Sequence, residues 1–146
     1  MGFFVLGMGF SPLLRAELVT EVLSDGTLVL EGGHQVVLAG IRLDDEGVSV
    51  LKVLARKRDL NLRKDTAASS AAKVPVYAYL RAKYLKFPAK VEAVSEEEEV
   101  MLNAFLVSQG AARVADDQVF AEKDNFLKLQ EQAKKMGAGI WSYKNS

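Results

Sequence analysis

Residues 101–141 constrain the fold most, because they spell two helical runs, each stopped by a glycine. The first is Met101-Leu102-Asn103-Ala104-Phe105-Leu106-Val107-Ser108-Gln109, ended by Gly110. The second sets Phe126, Leu129, Ala133 and Met136 along one helical face, continues through Lys134-Lys135, and ends at Gly137. Glycine at such points supplies the left-handed residue that closes a helix. A helix with one apolar face must bury it against something else. The earlier part of the chain therefore has to supply a surface, and Trp141, after Gly139-Ile140, joins the docking positions.

That surface reads as strands. Leu18, Val22, Leu23, Leu28, Leu30, Val36, Leu38 and Ile41 fall in short apolar runs broken by Ser24-Asp25-Gly26 and Gly32-Gly33. Such turns supply positive φ between paired strands, so three strands are predicted at about 17–23, 26–31 and 34–41. His34, the single histidine, lies beside the Gly-Gly turn as a hairpin residue. Val48, Leu51, Leu54 and Ala55 then predict a helix, with Arg56-Lys57-Arg58 placed to oppose its C-terminal dipole. Leu60 and Leu62 predict a fourth strand, and the small residues 66–72 a surface loop.

Residues 76–86 alternate as the longest strand. Val76, Ala78, Leu80, Ala82 and Tyr84 make its apolar face, and Tyr77, Tyr79, Arg81 and Lys83 the other. A turn at Phe87-Pro88-Ala89 is expected to return the chain through Val91 and Val94. Ser95 and Glu98 have the form of a capping box, so the run of four glutamates is expected to start the helix at Met101.

The 146 residues, 49% apolar, suit one domain. Nineteen cations balance nineteen anions, so affinity for nucleic acid has to come from a local patch. The absence of cysteine excludes thiol catalysis, thiolate metal sites and disulfides. Residues 1–16 begin with the apolar run Gly2-Phe3-Phe4-Val5-Leu6-Gly7-Met8-Gly9-Phe10, which has the form of a leader core without a basic start. Two readings stay open: a shortened export signal, giving a secreted or periplasmic protein, or an ordinary N-terminal strand or tail on a cytoplasmic one. The run is too short to span a membrane, which takes about 20 apolar residues. A monomer is expected.

The helical words of residues 101–141 resemble the C-terminal part of the staphylococcal nuclease-like (thermonuclease) family. Asp25-Gly26-Thr27-Leu28-Val29-Leu30 is similar to that family's "DGDT" turn and strand, and Val37-Leu38-Ala39-Gly40-Ile41 to its "RLxGI" strand. The resemblance runs from about residue 17 to residue 141. It implies an α+β, mainly β fold: a five-stranded OB barrel with three packed helices over residues 17–146.

It also implies a calcium-dependent phosphodiesterase, in which acids hold the ion, a glutamate handles the attacking water and two arginines neutralise the phosphate. This chain departs from that pattern. Val37 stands where the first arginine belongs, Arg42 where an aspartate follows "GI", and Lys73 where the second arginine belongs. Asp45 aligns with the general base, or Glu46 if the register slips, and Asp25, Asp44 and Asp45 are the remaining candidate calcium ligands. Lysine keeps a charge but loses the bidentate fork. The expectation is a catalytically impaired module that binds single-stranded DNA or RNA, or a protein. Its proposed nucleic-acid platform is Tyr77, Tyr79, Arg81 and Lys83, with the calcium-dependent nuclease as the alternative.

Overall fold

The computed structural model describes residues 15–67, 73–85, 95 and 97–142. Strand β1 (Arg15–Val22) starts two residues before the predicted domain boundary, and residues 1–14 lie outside the described part. It turns through Gly26 into β2 (Leu28–Leu30), and through Gly32 and Gly33 into β3 (Gln35–Leu38). All three turn glycines have positive φ, between 90° and 99°, as the sequence predicts. His34 is an exposed hairpin residue whose carbonyl accepts from the Leu30 amide. A two-residue β4 (Ile41–Arg42) leads to α1 (Asp45–Ala55), which buries the predicted face of Val48, Leu51, Leu54 and Ala55.

Next come β5 (Asp59–Lys64) and β6 (Val74–Arg81), an antiparallel pair. The barrel closes because β6 has two neighbours along one edge. Its first half pairs in parallel with β3, Val36 opposite Val74 and Leu38 opposite Val76. Its last residues pair with the short β7 (Glu99–Met101), Leu80 opposite Val100. The ring β3-β2-β1-β5-β6 is thus a closed five-stranded barrel, with β7 as an extra strand. Closure removes the free edges that an open sheet would expose.

Three helices complete the predicted α+β fold: α1, α2 (Leu102–Ser108) and α3 (Lys123–Met136), with a two-residue β8 (Arg113–Val114) pairing β4. Both glycine stops behave as read. Gly110 and Gly137 have φ of 72° and 64°. The amides of Ala111 and Ala138 then reach back to the carbonyls of Leu106 and Ala133, five residues earlier. Gly110 has a second duty, since its carbonyl accepts from the Ile140 amide. A Cβ there would collide with the Ala138 carbonyl, so the close pass of the Gly139–Trp141 turn requires glycine.

Asn103 ties the parts together. It is fully buried in α2, donates from Nδ2 to the carbonyls of Ala39 and Val76 at 3.0 and 3.1 Å, and accepts from the Ala78 amide at 3.0 Å. These groups lie where β3 runs out beside β6, so one amide side chain completes the ladder. A second staple is Asp65, which accepts from the Tyr77 hydroxyl at 2.9 Å and from the Ala121 and Ala67 amides. The Glu122 amide, at the start of α3, donates back to the Tyr77 hydroxyl.

Four expectations are corrected. Strand β6 stops at Arg81, and Ala82–Tyr84 form a 3-10 turn, so Lys83 and Tyr84 leave the strand. Tyr77 and Tyr79 are buried, 0% and 5% exposed: Phe126 of α3 stands edge-on to Tyr77 at 6.2 Å, and Arg63 donates to the Tyr79 hydroxyl at 3.3 Å. The glutamate run does not start a helix. Ser95 does donate its amide to Glu98, but Glu99 enters β7 and α2 begins only at Leu102. Met136 is 81% exposed, one turn beyond the last contact of α3, while Phe126 and Ala133 are buried as predicted. The return through Val91 and Val94 and most of the 66–72 loop lie outside the described residues.

Candidate functional site

The turn after β1 and the strand β3 place the first site. Asp25, Val37 and Arg42 line one open groove of about 330 Å³, together with Gly26, Leu38, Ile41, Leu43 and Gln118. Lys73, just before β6, reaches its rim, because Val37 pairs with Pro75 across the β3–β6 closure. The Lys73 ammonium donates to the Thr27 hydroxyl at 2.9 Å and sits 3.3 Å from Asp25 Oδ2. The Thr27 side chain and amide both bond the Asp25 carboxylate, and with Lys73 they hold its pKa down to about 2. Thr27 had no role in the sequence reading, although it lies within the turn that carried the resemblance.

Arg42 is not available either. Asp117, 75 residues later, takes both ends of its guanidinium at 2.8 and 3.0 Å. The pairing raises the Arg42 pKa and lowers that of Asp117. No local signal marked Asp117, because the contact depends on β8 pairing with β4.

The other acids point elsewhere. Asp44 caps α1, accepting from the Gly47 amide at 2.9 Å. Asp45 is exposed on the first turn. Glu46 and Asp44 line a different, mainly apolar pocket of about 380 Å³ beside Phe105 and Ile140. Among the described residues, no three acidic or histidine side chains come together as a metal site. Asp25 is therefore the one carboxylate lining the groove, and it is already paired with a cation. Calcium needs six to eight oxygens, so this donor set does not fit the ion.

A second groove opens at the far end of β5 and β6. Ala16, Lys57, Arg58, Asp59, Asn61, Tyr79, Leu80, Arg81, Tyr84 and Glu99 enclose about 430 Å³. Lys57, with φ of 61°, and Arg58 form the turn into β5, and their backbone is fixed by bonds to Val19. The Arg58 guanidinium stands 4.2 Å from the Tyr84 ring centroid. Asn61 Nδ2 donates to both Glu99 oxygens at 2.5 and 2.6 Å. Of the predicted nucleic-acid residues, Tyr79 and Arg81 line this groove, Tyr77 faces α3, and Arg81 and Lys83 share Glu97 at 3.6 and 3.4 Å. The sequence reading missed Arg58, Asn61, Tyr84 and Glu99 as a group, since four separate segments bring them together.

None of the curated proteins matches the chain. A family description of staphylococcal nuclease homologues matches residues 71–143, half of the sequence and the part that holds Lys73, β6 and all of α2 and α3. With the closed barrel and its three helices, that match identifies the chain as a member of the staphylococcal nuclease homologue family.

Proposed function

We propose that this chain is a nuclease-like barrel without efficient phosphodiester cleavage, which binds single-stranded nucleic acid through the groove of Lys57, Arg58, Arg81 and Tyr84. The loss of catalysis rests on one observation above all: every charged group at the first groove is already paired with another, Lys73 with Asp25 and Arg42 with Asp117. Phosphoryl transfer needs cations aimed at the developing charge, and one preorganised donor is worth about 100- to 1000-fold in rate. Val37 offers none, and Lys73 offers a charge shared with Asp25. The binding half rests on the second groove, which combines cations with an aromatic ring, the pairing that holds a flexible strand by charge and stacking.

Two measurements test this reading. Labelled single-stranded DNA and RNA incubated with calcium should remain uncut; EDTA-sensitive cleavage that disappears in Asp45→Ala would overturn the inactive reading. Fluorescence anisotropy of the same strands should show binding that weakens steadily with salt, as counterion release requires. Absent or salt-independent binding would reject the strand ligand.

A further inference from the structure

The pocket beside Phe105 and Ile140 belongs to neither groove and shares no lining residue with them. Three segments far apart in the chain enclose it: the start of α1, the end of α2 with Gly110 and Ala111, and the turn Gly139–Trp141. Glycines draw these walls into backbone contact. A Cβ on Gly47 would collide with the Ala111 carbonyl, and one on Gly139 with the Gly110 carbonyl. The Ile140 amide, bonded to the Gly110 carbonyl at 2.9 Å, fixes the third wall. Such a pocket is formed before anything enters it, which lowers the cost of binding.

Its chemistry has two parts. Val50, Phe105, Ala111, Ala138 and Ile140 supply an apolar interior. At about 380 Å³ it lies near the lower end of the roughly 300–1,000 Å³ of ligand sites, with room for a side chain or two rather than for a cofactor. The charged residues of the lining are Asp44 and Glu46, both exposed, and no lysine, arginine or histidine lines it. Asp44 spends part of its carboxylate on the Gly47 amide. Among the described residues, Glu46 is ion-paired with no cation, and neither is the exposed Asp45 beside it. This rim repels a nucleic-acid phosphate. An apolar side chain with a cation next to it suits both parts, the hydrocarbon filling the interior while the cation reaches Glu46.

We propose that this pocket docks a basic, apolar peptide segment of a partner protein. A leucine-sized side chain packs against the half-buried Val50 and Ile140, and a neighbouring lysine or arginine meets Glu46. Burial of such an anchor carries the affinity, about tenfold to a hundredfold, because it removes hydrocarbon from water. The exposed ion pair adds only about two- to fivefold and supplies the preference for a cation.

Amide NMR titration of the full chain with the capped peptide acetyl-Gly-Leu-Lys-Gly-amide tests the pocket. The signals of Gly47, Ala111 and Ile140 should shift together. Exchanging the peptide's leucine for alanine should weaken binding about tenfold or more. Exchanging its lysine for glutamate should weaken it about fivefold, since a rim contact is lost and repulsion takes its place. In the protein, Glu46→Gln, at an exposed position, should weaken the leucine–lysine peptide about two- to fivefold and reduce the salt dependence. Val50→Phe should weaken it about tenfold by filling the space. Unmoved signals, equal affinity for the leucine and alanine peptides, or binding indifferent to both Glu46→Gln and Val50→Phe would overturn the proposal. Two other occupants would overturn it as well. Isoamylamine binding as tightly as the peptide would make the pocket a site for a free amine. Shifts of the same three signals on concentrating the protein alone would assign it to a second copy of this chain.

Discussion

Strand β3 supports two regions that have met different fates. At its end, Asn103 fills a dry junction and bonds three backbone groups, two on β6 and one in the chain between β3 and β4. In its middle, Val37 lines a solvated groove where the family pattern has an arginine. The family match covers Asn103 and Lys73 but not Asp25, Val37 or Arg42. The contrast teaches where a fold tolerates change. Removing a buried amide leaves orphaned donors and acceptors in the interior, each a loss of about 1–3 kcal/mol. Removing a charge from an open groove leaves water to take its place, so the barrel tolerates the change.

Three measurements can break or sharpen that contrast. The largest effect is expected from Asn103→Ala, which takes the partner from the Ala39 carbonyl and the Ala78 amide, while the Val76 carbonyl keeps the Ala39 amide, and should lower unfolding free energy by about 2–5 kcal/mol. Denaturant unfolding reads it directly, and a loss below about 1 kcal/mol would mean that the junction is no more demanding than the groove. Tyr77→Phe comes next. It deletes the hydroxyl that joins Asp65 to the Glu122 amide, and about 1–3 kcal/mol should be lost without any change in nucleic-acid affinity. An affinity loss at unchanged stability would put Tyr77 at a binding surface after all.

The smallest effect belongs to the groove itself. Asp25→Asn should cost less than about 1 kcal/mol at pH 7, because the pair with Lys73 is largely solvated. The sign with pH follows from the depressed pKa. The carboxylate's stabilising contribution is complete above its usual value of 3.8 and is lost as pH falls through about 2. Wild type and Asp25→Asn should therefore differ most above pH 4 and converge near pH 2. A difference that persists unchanged at pH 2 would show that the substitution acts by something other than charge.

Much of the fold was legible because local patterns carry it. The Gly26 and Gly32-Gly33 turns, the apolar stripe of α1 and the glycine stops of α2 and α3 are each set within a few residues. The glutamate run misled for the same reason. A capping signal at Ser95 is real, yet the next residues gain more by pairing with β6 as Glu99–Met101 than by starting a helix. The candidate site was half legible. Lys73 meets Asp25, whereas Asp44 caps α1 and Asp45 and Glu46 sit in its first turn.

By itself the sequence determined the order of strands and helices, the turns between them and the absence of a guanidinium at Val37, since each is a property of residue type and short-range spacing. Only the tertiary structure decided which charges are free and which faces are wet. Alternation along β6 marks two faces but not what covers the second, and α3 arrives from more than forty residues away to bury Tyr77. Arg42 finds Asp117 across 75 residues, and the groove of Arg58, Asn61, Tyr84 and Glu99 exists only once the barrel has closed. Such contacts depend on long-range packing, which local periodicity does not encode.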